Sequence, residues 1–188
     1  MLKNYEKIFK IFFREAELGN WEKVKIENIA KKLNIKENDL KKVIPNKNHF
    51  LSFYNINVDK EVIKNISDEE IKISSNDEII QEYFMNKLEI MSKYKFGIIN
   101  ILNASMKNPS FLITNLKSNK ESISKFLKKV KKKNTNISQI VLIKLLLAVW
   151  LLAFNKWLYN ENEKDAGFAI INKGIMRIKN NTSLFSNV

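Results

Sequence analysis

Apolar residues along this chain recur every three or four positions and rarely every second one, the spacing of helices rather than strands. Residues 3–18 set Tyr5, Ile8, Phe12 and Leu18 near one face, widened by Phe9 and Phe13, and Gly19 follows as a left-handed helix end. IENIAKKL, residues 26–33, places Ile26, Ile29, Ala30 and Leu33 at i, i+3, i+4 and i+7. Asn34-Ile35-Lys36 reads as a turn with Asn34 at positive φ, which Asn tolerates better than most residues. Residues 37–43 form another short helix stopped by Pro45, and residues 47–65 a longer one. Residues 67–76 are polar and read as a loop and boundary. From 77 to about 106 one long amphipathic helix carries Ile80, Phe84, Leu88 and Met91 on a stripe, with a bend at Gly97. Pro109 opens a short helix to about 116. A basic helix follows over 121–133, a loop over 133–136, an apolar helix over 137–159, a last helix over 164–179 and a frayed end over 180–188. The expectation is an all-α fold of about nine helices.

Composition narrows the chemistry. Four Gly and two Pro in 188 residues are too few for the many turns of an all-β fold. With no Cys there is no disulfide scaffold, thiolate metal site or Cys nucleophile. One His disfavours a His-built zinc site or a His-relay hydrolase. No glycine-rich phosphate loop or nucleophile–base pair is visible either, so the expectation is a protein that is not an enzyme and needs no cofactor or metal. His49 reads as a surface or interdomain contact.

The formal charge of +13 favours nucleic acid, an anionic membrane or an acidic partner. It comes from 31 Lys and only Arg14 and Arg177, beside 26 Asn and 26 Ile. These residues share AT-rich codons, so part of the charge reflects the base composition of an AT-rich bacterial genome. Residues 1–70 carry a net +2 and the remainder +11, with +7 in 117–133 alone. The start lacks a signal-type cleavage site, and a cytoplasmic protein is expected. Residues 137–154 are long enough to raise a membrane span, but Lys144 at their centre would cost about 2.5–3.5 kcal/mol on insertion scales. They read instead as a helix buried in a core or a dimer interface.

Two short helices joined by a three- or four-residue turn, after a longer helix, have the plan of a helix-turn-helix. Ile26, Ile29, Ala30, Leu33, Ile35 and Leu40 would be its small core. WEKVKIENIAKKLNIKENDLKKVIPNKNHFL resembles the N-terminal domain of TetR-type transcription regulators, with Ile29-Ala30 and Ile44-Pro45-Asn46-Lys47 at two of that family's marked positions. The resemblance implies a helix-turn-helix three-helix domain over 1–66. It also implies a helical bundle for ligand binding and dimerisation over 67–188. The family's turn Gly is Asn34 here. Its capping Thr is Lys25, which cannot accept a hydrogen bond, and its phosphate-touching Tyr is Lys41. The middle segment IIQEYFMNKLEIMSKYKFGIINIL with KNPSF is similar to bacterial proteins between those regulators and the ubiquinone-biosynthesis accessory proteins. The latter share the fold, bind lipid and have lost DNA binding.

Two functions therefore stand at this point. As a regulator, a homodimer would bind double-stranded DNA at a palindromic operator. Lys25, Lys36, Lys41, Lys42 and Lys47 would lie on phosphates, with Asn38 and Asp39 at base edges. An apolar small molecule would sit among Phe84, Leu88, Met91, Ile98, Phe111, Phe126 and Trp150. The dimer would form through Leu147, Leu151, Phe154, Gly167, Ile171, Gly174 and Ile178, the glycines admitting a partner helix. As a lipid-binding accessory protein, the chain would meet an anionic membrane through 117–133. There Ile123, Phe126, Leu127 and Val130 form one face and Lys125, Lys128, Lys129, Lys131, Lys132 and Lys133 much of the rest.

Overall fold

The computed structural model describes residues 5–130, 138–160 and 163–182. Among them are ten α-helices, two 3-10 turns and no strand. The helices are α1 Tyr5–Glu17, α2 Ile26–Leu33, α3 Glu37–Lys41, α4 Phe50–Asn65, α5 Asp68–Ile73, α6 Asn76–Ser92, α7 Lys95–Ser105, α8 Pro109–Val130, α9 Gln139–Tyr159 and α10 Glu163–Thr182. The 3-10 turns are Trp21–Lys23 and Lys47–His49. Lys131, Lys132 and Lys133, the loop through 136, residue 137 and the end from 183 lie outside the described residues.

The all-α expectation holds, and several boundaries move. Residues 67–76 are not a loop. α5 starts there from a capping box in which the Ser67 hydroxyl accepts from the Glu70 N–H and the Glu70 carboxylate accepts from the Ser67 N–H. Ser75 and Glu78 repeat the device at the start of α6. The single helix expected over 77–106 breaks at Tyr94, whose backbone leaves the helical region, and not at Gly97. Residues 109–130, expected as two helices, are one, because nothing between 116 and 121 breaks a helix. Leu18, expected on the apolar face of α1, lies past the helix end and is 63% exposed.

The chain packs as two compact units. The first draws on Met1–Asn57 and Tyr94–Ser118 and holds an aromatic core. Phe12 stacks on Phe50 at 4.2 Å between centroids, and Phe13 on Tyr94 at 4.4 Å. α7 lies close on α1 because Gly97 presents no side chain there. A Cβ at that position would come within 2.7 Å of the Phe13 ring. The buried Trp21 indole donates to the Ser105 hydroxyl at 3.0 Å, tying the 3-10 turn before α2 to the end of α7.

The second unit draws on Val58–Lys93 and Asn119–Val188. Its frame is α10 against α9 and α6. The stripe Ile80, Phe84, Leu88 and Met91 is buried as expected. Gly167, Ile171 and Ile178 are buried as well, and the two glycines of α10 face neighbours of the same chain. A Cβ at Gly167 would stand 3.0 Å from Leu88 and from Trp157, and one at Gly174 2.7 Å from Val149. The close approach that these glycines permit is therefore filled by α9 and α6 of this chain, not kept for a second copy. The Lys179 ammonium donates to Asp77 at 2.8 Å and closes the end of α10 on the first turn of α6. Burial alone pushes the Asp77 carboxyl up, but hydrogen bonds from Lys179 and Ser75 outweigh it and hold the group below its usual range.

Gly174→Ala tests the α9–α10 contact. The added methyl meets Val149, an overpacking of about 1–3 kcal/mol, against a helix-propensity gain of about 1 kcal/mol. Net destabilisation is expected in urea unfolding. In a Val149→Ala background the two methyl contacts under 3 Å are removed and only the 3.3 Å contact with the Cβ of residue 149 remains, so the same substitution should cost less.

Candidate functional site

The candidate interface begins with α2 and its exit. The Asn34 backbone sits at φ 55°, ψ 47°, the left-handed conformation expected for it. Its N–H donates to the Lys31 carbonyl at 3.0 Å and the Ile35 N–H to the Ala30 carbonyl at 3.1 Å, so the chain turns sharply out of α2 with its last carbonyls satisfied. Leu40 is fully buried and Ile26, Ile29, Ala30 and Leu33 are buried around it, with Ile35 only partly covered. That core pins α3 against α2 and leaves Lys36, Asn38, Lys41 and Lys42 exposed. Lys25 precedes α2 in extended conformation and provides no side-chain cap, as its chemistry dictates.

The seven nucleic-acid candidates fall into three groups. Lys25, Lys36 and Asn38 form no ion pair or side-chain hydrogen bond among the described residues. Lys41 pairs with Glu37 at 2.7 Å and Lys42 with Asp39 at 2.9 Å, both exposed on α3. The hydrogen bond and charge of Lys42 hold the Asp39 carboxyl below its usual range, so Asp39 is an ionised acceptor at neutral pH. Exposed pairs of this kind contribute little to stability and exchange readily for another anion. Lys47 is different. Its ammonium donates to the Trp21 and Glu22 carbonyls at 3.0 and 2.6 Å, a structural tie between the start of α4 and the turn before α2. His49 sits in the same turn, 3.0 Å from the Asn46 side-chain oxygen.

The seven ligand candidates are all buried. Ile98 and Phe111 belong to the first unit and Phe84, Leu88, Met91, Phe126 and Trp150 to the second. Sequence reasoning missed what the second-unit set surrounds. Lys87, 1% exposed, places its ammonium 2.7 Å from Asp59 and 4.7 Å from the centroid of the Trp150 ring. The Tyr83 hydroxyl donates to the same Asp59 oxygen at 2.7 Å, while the other Asp59 oxygen has no hydrogen-bond partner among the described residues. Flat rings enclose the cluster. Tyr83 stacks on Phe126 at 4.0 Å, and Phe84, Trp150, Phe154 and Trp157 stack in succession at 5.4–5.7 Å. The missed signal was present: position 87 completes the i+3/i+4 stripe of Phe84, Leu88 and Met91, yet is a lysine.

Of the dimer candidates, Leu151 is exposed and Leu147 and Phe154 half-buried, whereas the α10 set packs inside the unit. The apolar residues that α9 exposes also include Ile140, Val141 and Leu152, all missed, with Leu152 64% exposed. Among the described residues α9 is the one helix long and apolar enough to cross a membrane. Its buried side is the one against α10 and α6. The face of α8 expected to meet a membrane is also committed, since Ile123, Phe126 and Val130 are buried. The Lys129 ammonium caps the end of α4 through the Ile63 and Ile66 carbonyls at 2.7 and 3.1 Å.

Compared with models of known protein families and with curated proteins, the chain matches none.

The buried cluster has a defined energetic signature. Burial depresses the Lys87 pKa, and the Asp59 charge and hydrogen bond restore part of it. Between that lowered value and 10.5 the unfolded chain holds a proton that the folded chain lacks, so this contribution to stability rises with pH. Burial and Asp59 push Tyr83 well above 10.0, and its contribution is lost as pH climbs beyond that value. Lys87→Met should destabilise by about 3–5 kcal/mol, because it leaves a buried carboxylate without its counterion. It should also flatten the rise in stability below pH 10. Adding Asp59→Asn, which keeps an acceptor for Tyr83, should restore much of the loss in urea unfolding followed across pH.

Proposed function

We propose that this protein is a TetR-like DNA-binding regulator acting as a twofold dimer. The observation that carries the reading is the α2–turn–α3 geometry. A left-handed Asn34 and a buried Leu40 set a short second helix with Lys36, Asn38, Lys41 and Lys42 outward. In a helix-turn-helix the first helix crosses the phosphate backbone and the second offers its N-terminal residues to the major groove. Lys25 and Lys36 would then lie on phosphates, and Lys41 and Lys42 would exchange their exposed carboxylates for phosphates. Asn38 suits the paired donor and acceptor of adenine. Ionised Asp39 suits the amino group of cytosine. Lys47 supports the motif from behind and is not a phosphate contact in this reading. The effector would be an apolar or aromatic molecule entering the second unit among Phe84, Leu88, Phe126 and Trp150, where Lys87 and Asp59 would give it a polar anchor. It would act by binding unequally to the two DNA-binding states.

Fluorescence anisotropy with the DNA flanking the protein's own gene and with unrelated DNA, across a salt titration, tests the reading. Roughly a thousandfold preference for the flanking DNA is expected. Lys36→Gln should weaken binding to all sequences alike and lower the salt slope by about 1. Asn38→Ala should relax one base position by about 1–3 kcal/mol. Equal, salt-erased binding to both DNAs would sink the proposal. The dimer would use the outer face of α9. Leu152→Glu is expected to shift the mass in sedimentation equilibrium from dimer to monomer without changing the helix content.

One observation favours the accessory-protein reading as a second choice. α8 exposes Leu112, Ile113 and Leu116 beside Lys117, an apolar and basic strip separate from the buried face of the same helix. Co-sedimentation with anionic vesicles, together with an absence of DNA preference, would select that reading.

A further inference from the structure

A groove of about 410 Å³ opens in the first unit between the end of α1, the turn before α2 and α2 itself. That volume is in the range of small-molecule sites. Val24 and Ile29, both buried, give it an apolar floor. Its walls are basic: Lys23, Lys25, Lys31 and Lys32 stand against one carboxylate, Glu15. Glu15 is already bridged to Lys32, and Lys31 is bridged to Glu27 at 2.5 Å. Lys23 and Lys25 form no ion pair or side-chain hydrogen bond among the described residues, and Lys25 stands close enough to Glu27 to help lower its pKa, so four lysines line the groove against two neighbouring carboxylates, Glu15 and Glu27. Asn20 and Asn28 add neutral donors and acceptors.

The groove lies on the flank of α2 that meets α1, since Asn28 and Lys32 are one helical turn apart and Lys32 bridges to Glu15 of α1. Glu27 lies at the edge of the groove, where it pairs with Lys31 and feels the charge of Lys25 and, after it, of Lys41 on α3. No residue of α3 lines the groove. The excess of ammonium groups over these two carboxylates matches a doubly charged head better than a carboxylate's single charge. The floor of Val24 and the lysine stems matches a compact apolar body.

We propose that this groove binds a small organic phosphate monoester, its head on Lys23 and Lys25 and its apolar or aromatic body over Val24. The site shares Lys25 with the DNA-binding reading but is tested apart from it. It uses neither the exposed residues of α3 nor the outer face of α9, and its test contains no DNA.

The probe is phenyl phosphate, titrated into the isotope-labelled full chain at about 0.15 M salt, where long-range attraction by surface charge is screened. Amide shifts should be saturable and confined to residues 15–32. Inorganic phosphate, which lacks the body, and phenol, which lacks the head, should each bind at least tenfold more weakly. Lys23→Gln with Lys25→Gln should weaken phenyl phosphate at least tenfold at unchanged thermal stability, while Lys36→Gln should leave it unchanged. Equal losses in the two variants, shifts scattered over the lysines of the whole chain, or inorganic phosphate binding as well as the ester would overturn the site.

Discussion

Holding the Lys87 ammonium in a dry aromatic interior is the constraint around which the second unit is arranged. An isolated buried cation costs several kcal/mol, and only a close, well-placed counterion offsets that. Asp59 is that counterion, and it stands on α4, whereas Lys87 and Tyr83 stand on α6. Those two helices are therefore fixed in register as well as in contact, because slipping either by one residue would strand a charge. An all-apolar contact at the same place would tolerate the slip. Trp150 on α9 completes the arrangement by turning its ring face to the ammonium, the orientation favoured by the ring quadrupole. The ends of the frame are pinned by further lysines, Lys129 on the last carbonyls of α4 and Lys179 on Asp77. A chain so rich in lysine spends three of them here as internal fasteners.

The same division between spent and unspent charge organises the first unit. Lys47 is consumed in holding the start of α4 to the turn before α2, and Lys32 in bridging α2 to α1. Lys41 and Lys42 pair with the two acids of α3, which in the proposed reading would otherwise repel a phosphate backbone. Around the two short helices and the groove, Lys25, Lys36 and Lys23 remain outside any direct ion pair or side-chain hydrogen bond among the described residues. A net charge of +13 thus overstates the charge available to a partner. The relevant quantity is the small set of ammonium groups that no neighbouring carboxylate or carbonyl already holds.

The two short helices α2 and α3 and the turn between them were legible because local chemistry writes them. Ala30 and the i, i+3, i+4 spacing define α2, and Asn34 does at φ 55° what its side chain predisposes it to do. The stripe of α6 was legible for the same reason. α5 was missed because six residues carry too little periodicity to show a face, although Ser67 and Glu70 stood at capping-box spacing. The break at Tyr94 was misplaced to Gly97 because glycine was read as a hinge, whereas its role is close approach to Phe13. The candidate site was legible in its outline and not in its pairings. Whether Lys41 faces a phosphate or Glu37, or whether Lys47 is a clamp or a brace, depends on side-chain geometry that spacing alone does not carry.

The glycines of α10 sharpen what α9 must do. Their face is filled by α9 itself, so the apolar surface of α9 is divided between two sides. One side packs on α10 and α6, and the other leaves Ile140, Val141, Leu151 and Leu152 in contact with water. Isolated exposed apolar residues need no explanation, but four on one face of a helix this apolar form a patch of the kind that marks an interaction surface. A bilayer would bury all sides of the helix alike, and α9 already has one side covered by its own chain. In the proposed dimer, a second α9 related by a twofold axis would cover the remaining side with the same residues it offers, which is what a self-complementary interface requires. The exposed Lys144 lies on that same face, between the Ile140–Val141 and Leu151–Leu152 pairs, where its stem would cover apolar surface while its ammonium reaches for water.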